Sequence, residues 1–176
     1  MSGRDERRIA IFDFDGTLFD TDLTLMKAAQ KALGRKLSKK EIRALPHEIK
    51  SKIYDLANND IAASTPNKSV INRMNTLGDR GYALVILTAR HKSSEPATLE
   101  LVRMWSIGCD AVYHNSAGVY IPDEEFKAIM LEPITFGYKS VEIYEDKREN
   151  IDFLRERFGS RGFRYYLVKK NGFRRV

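Results

Sequence analysis

The stretch IAIFDFDGTLFDT, residues 9–21, places two acidic side chains inside an apolar run. Side chains two positions apart on a strand point to the same face, so Asp13 and Asp15 should lie together while Phe12 and Phe14 face the opposite side. Unpaired carboxylates this close repel one another and resist burial. A divalent cation held by oxygen ligands would compensate them. The structural alternative is a helix N-cap beside a turn aspartate.

Two small residues follow the carboxylates. Gly16 predicts a sharp turn with unusual backbone dihedrals, and Thr17 predicts a cap for the segment after it. Ligands of open α/β sheets gather beyond the C-terminal ends of the strands. The stretch therefore predicts a strand that ends at a ligand site.

The composition of the 176-residue chain, with 43% hydrophobic and 31% charged residues, is typical of one globular domain with a sizeable core. Nowhere are there 18 consecutive apolar residues, so we expect no membrane span, and the charged start MSGRDERR predicts no secretory signal. The lone Cys109 excludes an internal disulfide and agrees with a reducing compartment. We expect a cytoplasmic protein, with a nuclear location left open.

The charge balance is basic. The chain has 30 Lys and Arg against 24 Asp and Glu, a net charge of +6. This favours polyanionic partners through long-range attraction, although many ordinary proteins carry such a charge. Basic residues gather at the two ends, RDERR and KKNGFRR, which can be solvated tails. The sequence leaves the oligomeric state open.

Buried apolar runs alternate with helical patterns along most of the chain, which predicts an α/β fold with a Rossmann-like parallel sheet. The predicted strands are residues 9–14, 82–87, 110–114, 141–145 and 163–168.

Residues 20–65 interrupt this alternation and predict a small helical cap insertion above the sheet edge. Ser38 and Glu41 have the spacing of a capping box, and Pro46 suits the start of another helix. The core would then consist of residues 1–19 and 66–176.

Four motifs, in order, resemble those of the haloacid dehalogenase (HAD) superfamily, which are largely phosphate-transferring hydrolases on a Rossmann-like sheet. DFDGTL, residues 13–18, resembles the first motif. Thr88, at the end of VILT, resembles the second, and a helical Lys would be the third. Glu145 and Asp146 in EIYED resemble the acidic fourth motif.

The resemblance implies the following roles. Asp13 would be the nucleophile that forms an aspartyl-phosphate, and Asp15 the general acid and base. Thr88 would donate its hydroxyl to a phosphoryl oxygen. Magnesium would bind the carboxylates of Asp13 and Asp146 and the backbone carbonyl of Asp15.

Two lysines compete for the third motif. Lys127, in EEFKAIML, belongs to a predicted helix that can aim it at the site, whereas Lys139 lies just ahead of a strand. We favour Lys127. Either residue has an ordinary surface position as its alternative.

The resemblance also assigns Gly16, Thr17 and Arg90 to substrate binding. Arg90 could contact a phosphate bidentately, although a surface position after the strand is as reasonable. Glu145 would orient the metal or its waters from behind the direct ligands. The three histidines share no metal-ligand spacing.

The substrate is open between classes. The small cap predicts an open site that could admit a polymer end. LTAR, FK and IYEDKREN resemble HAD domains of nucleic-acid end repair, including polynucleotide 3′-phosphatases, but Lys147 and Asn150 depart from that pattern. A nucleic-acid or nucleotide phosphate, a metabolite phosphate such as a sugar phosphate, and a phosphoprotein are the candidates in that order. A catalytically weak HAD-like binding module with a basic surface is the non-enzymatic alternative.

Overall fold

The computed structural model describes residues 7–116, 121–170 and 172–176. The strands are β1 Arg8–Phe12, β2 Phe19–Asp20, β3 Thr65–Pro66, β4 Ala83–His91, β5 Ala111–Asn115, β6 Ser140–Glu145, β7 Arg164–Lys169 and β8 Gly172–Arg175. The helices are α1 Asp22–Leu33, α2 Lys39–Arg43, α3 His47–Asn59, α4 Lys68–Asp79, α5 Glu95–Met104, α6 Asp123–Ile134 and α7 Arg148–Phe158.

The main sheet has six strands in the order β5-β4-β1-β6-β7-β8. β1 lies between β4 and β6, and it pairs parallel with both. β5 and β7 extend the parallel sheet on either side. The predicted Rossmann-like α/β sheet is therefore confirmed, and each predicted strand is present.

The basic C-terminal stretch KKNGFRR is not a solvated tail. β8 pairs antiparallel with β7, with Phe173 opposite Val168. The ring of Phe173 packs edge-on against Tyr144 at 5.3 Å between centroids. Asn-Gly between two strand-forming runs is a sequence signal for a β-hairpin. The expectation of a solvated tail overlooked this signal. Residues 1–6 of the basic N-terminal stretch lie outside the described residues.

The two faces of the sheet are covered by different helices. Phe12 and Phe14 are fully buried on the face that packs against α4 and α5. Ile9 and Ile11 point to the other face, against α6 and α7. Because side chains alternate along a strand, Asp13 follows Ile9 and Ile11 toward α6. This alternation separates the carboxylate from the phenylalanines, as the sequence predicts.

Helices α1, α2 and α3 enclose a small hydrophobic cluster of their own, which includes Leu25, Ile42 and Ile53. The predicted capping box is present at α2, where Ser38 N donates to Glu41 Oε2 at 2.7 Å. The chain enters and leaves this helical segment through β2 and β3, which pair antiparallel. Thr65 and Pro66, just ahead of α4, therefore form a short strand.

None of the helices in the described parts of the chain is long and apolar enough to cross a membrane.

Candidate active site

A buried lysine links two carboxylates at the C-terminal ends of β1 and β6. Lys127 Nζ, on α6, donates to Asp13 Oδ1 at 2.7 Å and to Glu145 Oε2 at 2.5 Å. All three side chains are buried. Asp13 is fixed beside β6 because its backbone N–H donates to the carbonyl of Tyr144 at 3.0 Å. The parallel pairing of β1 with β6 thus brings together residues that are far apart in the sequence.

Burial and charge oppose one another in this group. Burial raises the pKa of Asp13 well above its usual value, the attraction of Lys127 acts against that rise, and the charge of Glu145 adds to it. Burial would lower the pKa of Lys127, but its two carboxylate partners outweigh burial and raise it. Burial also acts to raise the pKa of Glu145, yet Lys127 brings it below its ordinary value. One lysine therefore compensates Glu145 but leaves Asp13 with excess negative charge around it.

Asp146 adds a third carboxylate. Burial, followed by repulsion from Glu145, raises its pKa to about 7. Its Oδ1 atom is buried and has no hydrogen-bond partner among the described residues. Carboxylate oxygens of Asp13, Glu145 and Asp146 lie within 4.8 Å of one another. An all-oxygen cluster with an unpartnered, buried ligand atom fits a hard divalent cation such as Mg²⁺.

Gly16 allows the turn after β1 to pass against Asp146. Its φ is +81°, which lies in the left-handed region that favours glycine. A Cβ at this position would lie 2.3 Å from Asp146 Oδ2, closer than atoms can approach. The predicted sharp turn is confirmed, and its close contact with Asp146 is an addition to that prediction.

Asp15 is held by two donors. Its Oδ1 accepts from Thr21 Oγ1 at 2.6 Å, and its Oδ2 lies 3.3 Å from Arg90 Nε. The other two guanidinium nitrogens of Arg90 donate to Thr98 Oγ1 at 3.3 Å and to Asn58 Oδ1 at 3.0 Å. The structure thus places Arg90 beside Asp15 and connects it to α3. Its contact with a substrate phosphate stays a prediction.

The two predicted threonines have different surroundings. Thr88 is buried in β4, and its Oγ1 accepts from the N–H of Arg90 at 3.2 Å. Since Phe12 pairs with Ile86, Thr88 lies level with the turn that follows β1. Thr17 does not cap a helix, because α1 begins at Asp22 with Thr21 at its N-cap. Its hydroxyl is buried without a hydrogen-bond partner in the described parts of the chain.

Lys139 lies at the opposite end of β6. It directly precedes Ser140, the first residue of that strand, whereas Asp146 directly follows the last. At about 3.3 Å per strand residue, the two ends are separated by roughly 20 Å. The structure therefore brings Lys127, and not Lys139, to the carboxylates.

No histidine belongs to the acidic cluster of the described residues. The Nδ1 atom of His91 lies 2.9 Å from Ser93 Oγ, a local contact. His114 is buried on β5 opposite Thr88, and burial lowers its pKa.

Several residues at the site were missed by the sequence analysis. Asn58 accepts a hydrogen bond from Arg90, and Thr21 donates one to Asp15. An ion pair between Lys147 and Asp123 joins the start of α7 to the start of α6. Thr21 lies three residues beyond the first motif, which ends at Leu18, and this proximity was a usable signal. Asn58 carried no signal, because its contact with Arg90 is a tertiary contact between α3 and β4 that no local pattern encodes.

Solved structures resemble the chain across most of its length. A HAD hydrolase of family IA, variant 3, from Entamoeba histolytica superposes with a TM-score of 0.66 at 14% identity, covering 93% of this chain and 84% of that one. A candidate β-phosphoglucomutase from Thermotoga maritima gives 0.63 at 15% identity, covering 93% and 95%. The chain has the haloacid dehalogenase fold.

Part of a chain of the Pnkp1/Rnl/Hen1 complex superposes on nearly all of this chain. It gives a TM-score of 0.63 at 18% identity, and the match covers 94% of this chain but only 47% of that one. No protein-family model and no curated protein sequence matches the chain. At these identities the likeness concerns the fold, so the chemistry must be argued from the site itself.

Proposed function

We propose that the protein is a Mg²⁺-dependent phosphoester hydrolase that acts through an aspartyl-phosphate intermediate. The observation that supports this proposal is the buried contact of Lys127 with Asp13, beside a cluster of three carboxylates at the C-terminal end of the sheet. A carboxylate held next to a lysine can attack a phosphorus atom, because the ammonium offsets the negative charge of both groups.

In the first half of the reaction, Asp13 Oδ attacks phosphorus and the bond to the leaving oxygen breaks. Asp15 gives its proton to that oxygen, so the alcohol departs neutral. In the second half, Asp15 takes a proton from water, whose oxygen attacks the aspartyl-phosphate and releases phosphate. Thr88 and Lys127 would donate to the phosphoryl oxygens throughout.

The cation would be held by the carboxylates of Asp13 and Asp146 and by the backbone carbonyl of Asp15. When bound, Mg²⁺ would supply the positive charge that favours ionised carboxylates and screens Asp13 from the phosphate. Glu145 would keep Lys127 in place, since its two oxygens accept from Lys127 Nζ and from the N–H of Lys147 at 3.1 Å.

Residues 20–65 would act as the cap over this site, with residues 1–19 and 66–176 as the core. The substrate would be a phosphate on a nucleic-acid end or nucleotide, in agreement with the net charge of +6 and with the fold shared with a chain of the Pnkp1/Rnl/Hen1 complex. A sugar phosphate is the second candidate, since the candidate β-phosphoglucomutase shares the fold over nearly its full length.

The proposal is tested by hydrolysis of a chromogenic aryl phosphate with Mg²⁺ and with a chelator. We expect turnover that requires the cation and is restored when the cation is returned. A panel of 3′- and 5′-phosphorylated oligonucleotides, nucleotides and sugar phosphates, compared by kcat/KM, then ranks the substrates. Complete absence of Mg²⁺-dependent turnover across the panel would contradict hydrolysis and favour a binding module.

A further inference from the structure

We infer that Tyr54 on α3 forms a stacking platform for the base of a nucleotide whose terminal phosphate enters the site at Asp13. This inference rests on the proposed function and specifies its substrate. The chemical class is a phosphomonoester attached to a nucleoside unit, either free or at the end of a polynucleotide.

The position of Tyr54 follows from the contacts of Asn58, one helical turn later. Residues four apart lie on the same helix face. Asn58 Oδ1 accepts from Arg90 at 3.0 Å, and Asn58 Nδ2 donates to Ser94 Oγ at 3.0 Å. Because Arg90 also contacts Asp15, the α3 face that carries Tyr54 is turned toward the candidate active site.

The inner face of α3 packs elsewhere. Ile53 and Ala57 are buried in the hydrophobic cluster of the helical segment. Tyr54 keeps 41% of its surface exposed. A large planar ring therefore stays partly exposed on the face of α3 that also carries Asn58, and core packing does not cover it completely. An exposed aromatic face of this kind is what stacks on nucleobases, in a manner tolerant of base identity.

Charged side chains from several elements act on the Tyr54 phenol. Burial is the largest cause of its raised pKa, and the charges of Arg43, Asp15, Asp123 and Lys147 contribute in both directions. These residues belong to α2, to the turn after β1, to the start of α6 and to the approach to α7. Tyr54 therefore lies among charged groups from four elements, and these groups include Asp15 of the candidate active site.

Basic side chains lie near Tyr54, together with the acidic Asp15 and Asp123, and others lie beyond the C-terminal ends of two strands. Arg43 is exposed beside Tyr54, and Lys147 is partly exposed and paired with Asp123. Exposed lysines also lie at the C-terminal ends of two strands of the parallel sheet: Lys92 after β4, and Lys169 and Lys170 at the end of β7. Exposed cations beyond the strand ends, on the same edge of the sheet as the candidate active site, suit a phosphodiester backbone that leads away from a stacked terminal base.

The experiment compares wild type with Tyr54→Leu and Tyr54→Phe on matched ligands. These are an oligonucleotide with a 3′-phosphate, the same oligonucleotide with an abasic terminal unit, and a nucleoside 3′-monophosphate. Both equilibrium binding and kcat/KM are measured. Phe136→Leu is the control, because Phe136 is 86% exposed and lies beyond the end of α6 opposite to Lys127.

We expect Tyr54→Leu to reduce the preference for the base-bearing over the abasic end by about tenfold, the range of base–aromatic stacking. Tyr54→Phe should retain the preference, since the ring and not the hydroxyl forms the platform, and Phe136→Leu should match wild type. A nucleoside monophosphate bound as tightly as the oligonucleotide would identify a free nucleotide as the ligand. A nucleoside monophosphate bound markedly more weakly than the oligonucleotide would identify a polymer end as the ligand.

The two proposals fail in different ways. If no ligand is hydrolysed but binding still depends on the base and on Tyr54, the hydrolase proposal fails and the platform stands. If hydrolysis occurs with equal kcat/KM for base-bearing and abasic ends, or if Tyr54→Leu keeps the wild-type preference, the platform is overturned and the hydrolase stands.

Discussion

A Cβ atom on residue 16 would lie 2.3 Å from Oδ2 of Asp146. The first and fourth motifs, far apart in the sequence, are therefore in direct contact through a position that only glycine can occupy. The turn after β1 and the carboxylate after β6 must fit one another before any ligand arrives. The arrangement makes Gly16 a sensitive probe of the carboxylate cluster.

Replacing Gly16 with Ala should displace Asp146 and weaken Mg²⁺ binding by about tenfold or more, because it would move a carboxylate that holds the cation in the proposed site. Isothermal titration with Mg²⁺ and activity as a function of Mg²⁺ concentration would measure the loss. Stability should also fall, since an alanine at a positive φ costs about 1–2 kcal/mol.

Gly137→Ala is the matched control. Gly137 has the same φ of +81°, but a Cβ there meets nothing within 4 Å. Both variants carry the backbone strain, and only Gly16→Ala carries the collision with Asp146. Equal Mg²⁺ affinity in the two variants would show that the contact does not matter.

Lys127→Met should abolish most of the activity and destabilise the fold. Removing one partner of a buried ion pair leaves uncompensated charge and costs about 3–5 kcal/mol. Here Asp13 and Glu145 both lose their donor, and part of the cost is avoided if they take up protons. Chemical denaturation and kcat/KM on an aryl phosphate are the measurements.

Lys139→Met serves as the comparison for this prediction. It removes the same functional group at the opposite end of β6, so activity should remain within about twofold of wild type. A large loss with Lys139→Met and a small loss with Lys127→Met would reverse the assignment of the third motif.

The sequence predicted the fold and the acidic end of β1 because these depend on local patterns. Alternating apolar side chains specify which face of β1 carries Asp13, and parallel strands must end at the same sheet edge. Gly16 was predicted from its conformational freedom, and its contact with Asp146 was not. That contact depends on the register between β1 and β6, because the register determines which residues of the two strands lie side by side.

The contacts that hold Asp15 were less accessible to prediction. Asn58 on α3 contacts Arg90 on β4 and Ser94 ahead of α5, a tertiary arrangement that no short pattern specifies. The C-terminal hairpin was missed for a different reason: its positive charge suggested solvent exposure, although Phe173 contributes to the core packing of Tyr144. Hydrogen bonding of β8 to the edge strand β7 can outweigh the tendency of a basic segment to stay in solvent.

Asp13→Asn should reduce turnover by about a thousandfold or more, since a carboxamide cannot act as the nucleophile. The exchange preserves shape and removes a charge that burial disfavours, and Lys127 keeps Glu145 as its partner, so the melting temperature should change little. Turnover of an aryl phosphate and thermal unfolding are measured on the same preparation. Near-wild-type turnover by a folded Asp13→Asn protein would show that another group is the nucleophile.

The last prediction concerns pH and the cation together. The pKa of Asp146 is raised from its ordinary 3.8 to about 7, chiefly by burial, and that of Asp13 is raised as well. An acid with a raised folded pKa holds its proton more tightly in the folded state, so the free energy of unfolding falls as pH rises through that window. Glu145 acts in the opposite sense: the stability from its lowered pKa is present above its ordinary 4.5 and is lost only on acidification. A scan between about pH 5 and about pH 8 covers Asp13 and Asp146. It also covers His114, whose pKa burial lowers from 6.5 and which therefore makes stability rise with pH, so the part due to Asp146 is the difference between wild type and Asp146→Asn.

Without divalent cations, the melting temperature should fall across this scan. Adding Mg²⁺ should raise it more at the alkaline end than at the acidic end, by several degrees, because the cation binds the ionised carboxylates and competes with their protons. Asp146→Asn should flatten the pH dependence and reduce the gain from Mg²⁺, whereas Asp152→Asn, an exposed exchange on α7, should leave both as in wild type. A gain from Mg²⁺ that is equal at both pH values, or that survives Asp146→Asn in full, would place the cation away from this cluster.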